Sequence, residues 1–285
     1  MKLIVCIVCS LFAAVLPLGA QGCDGYRLVW SDEFNTDGRP DTASWNFESG
    51  FARNEELQWY QADNATCRGG LLVIEARPEW RPNPLYEAGS RDWRRARPTV
   101  ECTSASLTTA GKREFRYGRL EVRARIPVGK GAWPAIWTLG RAMEWPSCGE
   151  IDVMEFYRKQ GVPHILANAA WGTDRRYEAK WDSQAVPFSH FLEQNPDWAS
   201  EFHVWRMDWD EDFIRLYLDD ELLNEIRLAD TFNGTLGEGR NPFRQPHYIL
   251  LNLAVGGING GEVSPEAFPM RYEIDYVRLY KRNEE

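Results

Sequence analysis

The amino-acid sequence predicts an all-β protein, two antiparallel sheets packed face to face as a β-sandwich. Three observations carry this. Short segments of alternating apolar and polar residues recur along the chain, turn-forming residues separate them, and no run of helices alternates with them. The clearest segment is GRLEVRARI, where Leu120, Val122, Ala124 and Ile126 face one way and Arg119, Glu121, Arg123 and Arg125 the other.

Taken in order, the predicted strands are YRLVW (26–30), LLVIEAR (71–77), SASLTT (104–109), GRLEVRARI (118–126), HILANAAW (164–171), HVWRMDW (203–209), FIRLYL (213–218), HYILLNLAV (247–255) and YEIDYVRLY (272–280). Asp210-Glu211-Asp212 is short and polar enough to turn a hairpin between two of them. Helical periodicity is confined to residues around 189–199. The irregular stretches 78–100 and 228–246 read as loops over a binding face.

The first 22 residues have one Lys, an apolar stretch and then small residues, the pattern of a secretory signal. Cleavage after Ala20 and lipid attachment at Cys23, where AQGC imperfectly matches a lipobox, are competing readings. Either way the product is expected to be secreted or held at the outer membrane or cell surface, with residues 23–285 forming one domain, expected to be monomeric. Export leaves Cys23, Cys67, Cys102 and Cys148 in an oxidising compartment, with spacings that match no zinc pattern. Cys67 and Cys102 each lie next to a predicted strand, which suggests a bridge between them. The sequons at Asn64 and Asn233 matter only in a host that glycosylates.

The net charge of −9, with Lys and Arg scattered among acids, offers no basic face and argues against a nucleic-acid partner. Thirteen Trp residues is a high count; flat apolar rings suit a sugar-binding cleft, and Trp also fills protein cores, so the residues divide between the two uses.

The stretch GEIDVMEF (149–156) holds the candidate catalytic residues. Strict alternation would put Glu150 and Asp152 on one face and bury Glu155 among aliphatics, which is costly for an unpaired carboxylate. A β-bulge at Val153-Met154 returns Glu155 to the face of the other two. The two glutamates would then lie about 13 Å apart at Cα, at ~3.3 Å per residue. Leaning together, their carboxyl groups could reach the roughly 5 to 5.5 Å of a retaining glycosidase. Asp152 between them could share a proton with either neighbour, keeping one glutamate ionised and the other protonated.

This motif resembles the signature of glycoside hydrolase family 16, in its laminarinase and mixed-linkage β-glucanase branch. The resemblance extends over nearly the whole chain, through LVWSDEF (28–34), RNEELQWY (53–60), GAWPAIWTLG (131–140), FHVWRMDW (202–209), NLAVGG (252–257) and IDYVRLY (274–280). It implies a concanavalin A-like jelly roll that hydrolyses β-1,3- or mixed-linkage β-glucan. Glu150 would be the nucleophile, Glu155 the acid and then base, and Asp152 the assistant. It further implies that Asn54 lines the glycone side, that Trp133 forms part of a sugar platform, and that Trp137 stands near the catalytic centre. Trp171 ends a strand that carries a His in many relatives, and His203 either touches substrate or is satisfied in the core. No cofactor is implied for catalysis; a structural Ca²⁺ would be held by Glu33, Gly70 and Asp275, oxygen donors that suit this ion. Two other readings are a hydrolase of a sulfated galactan, for which the Arg91–Arg97 stretch is the only arginine run, and a non-catalytic glucan-binding protein. The second fits poorly because all three acids are present.

Overall fold

A computed structural model describes residues 25–283. The signal segment and Cys23 lie outside the described residues. Two sheets form the sandwich. The first runs β16 (Glu221–Arg227), β15 (Phe213–Leu218), β14 (His203–Trp209), β9 (Gly118–Arg125), β18 (Met270–Arg282), β5 (Leu71–Pro82), β6 (Thr99–Ser104) and β3 (Gln58–Tyr60). Two further strands, β1 (Tyr26–Asp32) and β4 (Ala65–Arg68), pair with β18 and β5. The second sheet runs β13 (Ala179–Pro187), β12 (Val162–Gly172), β11 (Glu150–Lys159), β10 (Ala132–Gly140), β17 (His247–Val255), β7 (Ser106–Thr108) and β2 (Asn46–Phe47). The short β8 (Glu114–Phe115) adds to β17.

Alternation builds the first sheet as expected. Leu120, Val122 and Ala124 are fully buried in the core between the sheets, while Arg119, Arg123 and Arg125 point outward to Asp208, Asp275 and Glu273. The hairpin between β14 and β15 turns at Asp210, whose carboxylate accepts from the backbone N–H groups of Asp212 and Phe213 at 2.9 and 2.8 Å. Gly69 and Gly70 join β4 to β5 with φ of 59° and 78°, the left-handed pair that a two-residue hairpin turn demands. The expected helical region contains a short α-helix, Ser189–Gln194, and a 3₁₀ turn, Trp198–Ser200.

The expected Cys67–Cys102 bridge is absent. Cys67, Cys102 and Cys148 are buried free thiols. Cys67 pairs with Leu72 and Cys102 with Pro78, six residues further along the same strand β5, which separates them by about 20 Å at ~3.3 Å per residue. A disulfide cannot span that distance.

Candidate active site

Strand β11 contains the bulge that its sequence requires. Against β12, Asp152 pairs with Asn168 and Glu155 with Leu166, so three steps on one strand match two on the other. Against β10 the register slips at the same place, between Ile136 and Trp137. Val153 and Met154 both drop into the hydrophobic core, fully buried. Glu150, Asp152 and Glu155 emerge together and line one small cavity with Arg53, Glu56, Trp133, Ala135, Trp137 and Asn252.

Each carboxylate has its own donor. The Trp145 indole N–H donates to Glu150 Oε2 at 2.8 Å, and that of Trp133 to Glu155 Oε1 at 2.8 Å. Asn168 Nδ2 reaches both Glu155 Oε2, at 3.1 Å, and Asp152 Oδ2, at 3.3 Å. Burial dominates the electrostatics. It pushes Glu155 up to about 7, aided by the charges of Glu150 and Glu56 and opposed by the bonds from Trp133 and Asn168. Asp152 is raised well above the carboxylate range by burial and then by the two flanking glutamates. Glu150 is raised by burial too, but Trp145, Arg53 and a hydrogen bond from Asp152 work against that rise and favour its ionised form. A protonated Asp152 therefore donates to Glu150, a bond that favours the Glu150 anion, while Glu155 keeps its proton up to neutral pH.

One wall of the cavity is a polar network held by β3 and its preceding loop. Glu48 binds the Arg53 guanidinium and accepts from Ser106 Oγ at 2.5 Å, and Arg53 lies 5.2 Å over the Trp137 ring. Trp137 donates to Asn252, which donates to the Tyr60 hydroxyl, and Gln58 donates to Glu56 at 2.6 Å. These bonds leave Arg53 and Glu56 facing the catalytic carboxylates.

The structure brings together the three acids, Trp133 and Trp137 from the sequence reading. Trp133 is only 5% exposed, so it orients Glu155 instead of offering a broad platform. Asn54 is exposed on the loop and does not line the cavity; its amide reaches Glu56 at 3.4 Å, and its neighbours Arg53 and Glu56 take the inward positions. Trp171 is a correction. It is an odd-numbered residue on β12, opposite in face to Asn168, and packs in the core with its ring edge-on to Phe243. Of the two readings of His203 the structure takes the core one and not substrate contact: it belongs to the other sheet, stacked on Trp198 at 3.9 Å with its nitrogens on Asp219 and the Trp198 carbonyl.

The calcium site fares no better. Both oxygens of Glu33 are bound by Arg278 at 2.9 and 2.8 Å, which holds its carboxyl below the usual range, and Asp275 is paired with Arg123. Gly70 sits in the β4–β5 turn. Two guanidinium groups occupying the acidic donors repel a dication, so these residues do not fit calcium. Asn168, Arg53, Glu56 and Trp145 were not foreseen. Asn168 had a signal, because alternation along HILANAAW puts it opposite Trp171.

A bulged strand that aims two glutamates of unlike protonation across one small cavity, with an aspartate between them, defines a glycoside hydrolase of the two-carboxylate kind. The model of glycosyl hydrolases family 16 matches residues 86–278, and the chain belongs to that family. It is 39% identical over 279 residues to a β-glucanase of Rhodothermus marinus, covering 90% of this chain and 85% of that protein. The laminarinase catalytic domain of Thermotoga maritima superposes with a TM-score of 0.72 at 35% identity, over 90% of this chain and 98% of the other. A structure described with endo-acting O-glycanases of the human gut microbiota gives 0.79 at 36% identity, over 94% and 93%.

Proposed function

We propose that the protein is a retaining endo-β-glucanase acting on β-1,3- or mixed β-1,3/1,4-linked glucan. One observation carries the mechanism: Glu150 and Glu155 stand on a single bulged strand with Asp152 between them, Asn168 of the neighbouring strand bridges Asp152 and Glu155, and burial holds Glu155 as an acid while Trp145, Arg53 and Asp152 oppose the same rise at Glu150. Glu150 attacks the anomeric carbon while Glu155 gives its proton to the leaving oxygen. The freed Glu155 carboxylate then deprotonates a water that attacks the same carbon and releases Glu150. Asp152 moves its proton toward Glu150 as that group regains charge. The reaction needs no cofactor.

The β-glucanase and laminarinase relatives support glucan as substrate. The O-glycanase structure favours a second reading, a mucin-type glycan. Reducing-sugar release from laminarin, barley mixed-linkage glucan, agarose and mucin O-glycans decides between them. We expect cleavage of laminarin or the mixed-linkage glucan, with the β-anomer of the new end appearing first by NMR. Release from mucin glycans or agarose alone would overturn the glucan reading. The N-terminal pattern further supports export, with Cys23 the residue that would carry a lipid anchor.

A further inference from the structure

The cleft face extends sideways beyond the three acids. Glu150 is directly opposite Ala170 on β12, and Ala170 is directly opposite Trp181 on β13. Residues opposed across antiparallel strands share a face, so Trp181 stands on the face of Glu150, two strands away, about 10 Å at ~4.8 Å per strand. The next residue confirms the alternation. Asp182 points the other way, accepting a hydrogen bond at 3.0 Å from Asn224 of the opposite sheet. Trp181 is 47% exposed on an edge strand, while Ala170, between it and Glu150, is covered and presents only a methyl group to that face.

A second ring stands at the rim. Tyr177, in the turn between β12 and β13, is 58% exposed. Its hydroxyl donates to Glu144 at 2.6 Å, Arg176 binds the same carboxylate at 3.0 Å, and the Arg176 guanidinium lies 4.8 Å over the Tyr177 ring. Glu144 precedes Trp145, the donor to Glu150, so this clasp is tied to the catalytic strand. Met143 and Tyr177 hold φ of 74° and 60°, a costly conformation for side-chain-bearing residues that surrounding contacts must maintain.

We propose that Trp181, with Tyr177 at the rim, is a sugar-stacking platform for the part of the chain that crosses β12 and β13, on the far side of β11 from Arg53 and Glu56. The inference rests on the glucanase reading above. An apolar pyranose face laid on an exposed indole gains contact area, and the Tyr177 ring, held by Glu144 and Arg176, adds to it without the ordering cost of a mobile side chain.

The test compares Trp181→Ala and Trp181→Phe with the wild type on laminarin, on mixed-linkage glucan and on laminari-oligosaccharides of increasing length. For Trp181→Ala we expect kcat/KM on the polysaccharide that the wild type cleaves to fall on the order of tenfold, the equivalent of one well-made contact. The loss should be carried mainly by KM, with little change on the shortest oligosaccharide cleaved and a shifted cleavage position on longer ones. Trp181→Phe should restore most of it. Unchanged kinetics and cleavage position at every length, or an equal loss on short and long chains, would overturn the platform. A wild type inactive on all glucans would instead overturn the substrate reading.

Discussion

Both sheets carry acidic residues in rows along a strand face, and the two rows live in opposite surroundings. On the outer face of the first sheet each acid meets an arginine from a neighbouring strand: Asp208 meets Arg119, Asp275 meets Arg123 and Glu273 meets Arg125. On the cleft face of the second sheet, among the described residues, Glu150, Asp152 and Glu155 receive neutral donors, from Trp145, Asn168 and Trp133, and Arg53 is the one cation lining their cavity. The same side-chain chemistry on the same kind of strand is thus neutralised in one place and left under electrostatic tension in the other. A structural acid is paired; an acid that must exchange protons during turnover is kept from full pairing and half dehydrated.

The largest effect expected from this contrast is on rate. Glu150→Ala removes the attacking group and should lower kcat by about a thousandfold or more, as losses of a covalent nucleophile do. The fold should survive, because the strand's buried residues are untouched and one dehydrated carboxylate is gone. Circular dichroism and laminarin hydrolysis measured together check this. Near wild-type rates would place the nucleophile elsewhere and erase the distinction between the two rows.

Much of the contrast was readable in the sequence. GRLEVRARI alternates without a fault, and GEIDVMEF breaks alternation at one position where the alternative is a carboxylate in the core. Both are statements about burial cost, which sequence records faithfully. Position across the sheet is another matter. Trp171 lies on the same strand as Asn168 and invites assignment to the cleft, yet its odd register turns it inward. Trp181 escaped notice because AKWDSQAVP, an edge strand with little buried surface, shows no clean apolar face. His203 was legible in principle, since it shares a face with Trp205, Met207 and Trp209, all buried. Pairing partners such as Arg278 for Glu33 lie 245 residues apart in the chain, and no local pattern reveals them.

A smaller effect sharpens what keeps the cleft acids apart in protonation. Glu155 must carry its proton to act as an acid, so kcat/KM should fall as pH rises through about 7. Trp133 donates to the ionised form and lowers this value, while burial raises it. Trp133→Phe removes the donor and leaves an apolar ring, so the alkaline limb should move to higher pH by about one unit, 1.36 kcal/mol, within the range of a hydrogen bond to a charged group. The pH profile of kcat/KM on laminarin measures it. A limb that stays in place would mean that the indole bond does not stabilise the Glu155 carboxylate.

The smallest effects concern stability, and they should differ in sign between the two kinds of acid. Asp152 has its carboxyl raised by burial, so its contribution to stability is complete below the ordinary carboxylate pKa and is lost as pH rises toward the folded value. Asp152→Asn reproduces the protonated form, with an amide N–H for Glu150 and an oxygen for Asn168, and should raise the melting temperature at pH 7 while slowing turnover. Glu33 has its carboxyl lowered by Arg278, so its contribution is present above the ordinary value and disappears as pH falls through the folded one. Glu33→Gln should therefore cost about 0.5 to 1 kcal/mol at pH 7, the range of a partly exposed ion pair, or roughly 1 to 4 °C in a chain of this size. Its penalty should shrink as pH falls below the ordinary carboxylate range and the wild-type carboxylate itself takes up a proton. Thermal melts of both variants at pH 7 and pH 3 test the pair, and a gain or loss of the same sign in both would show that arginine pairing is not what separates the two rows.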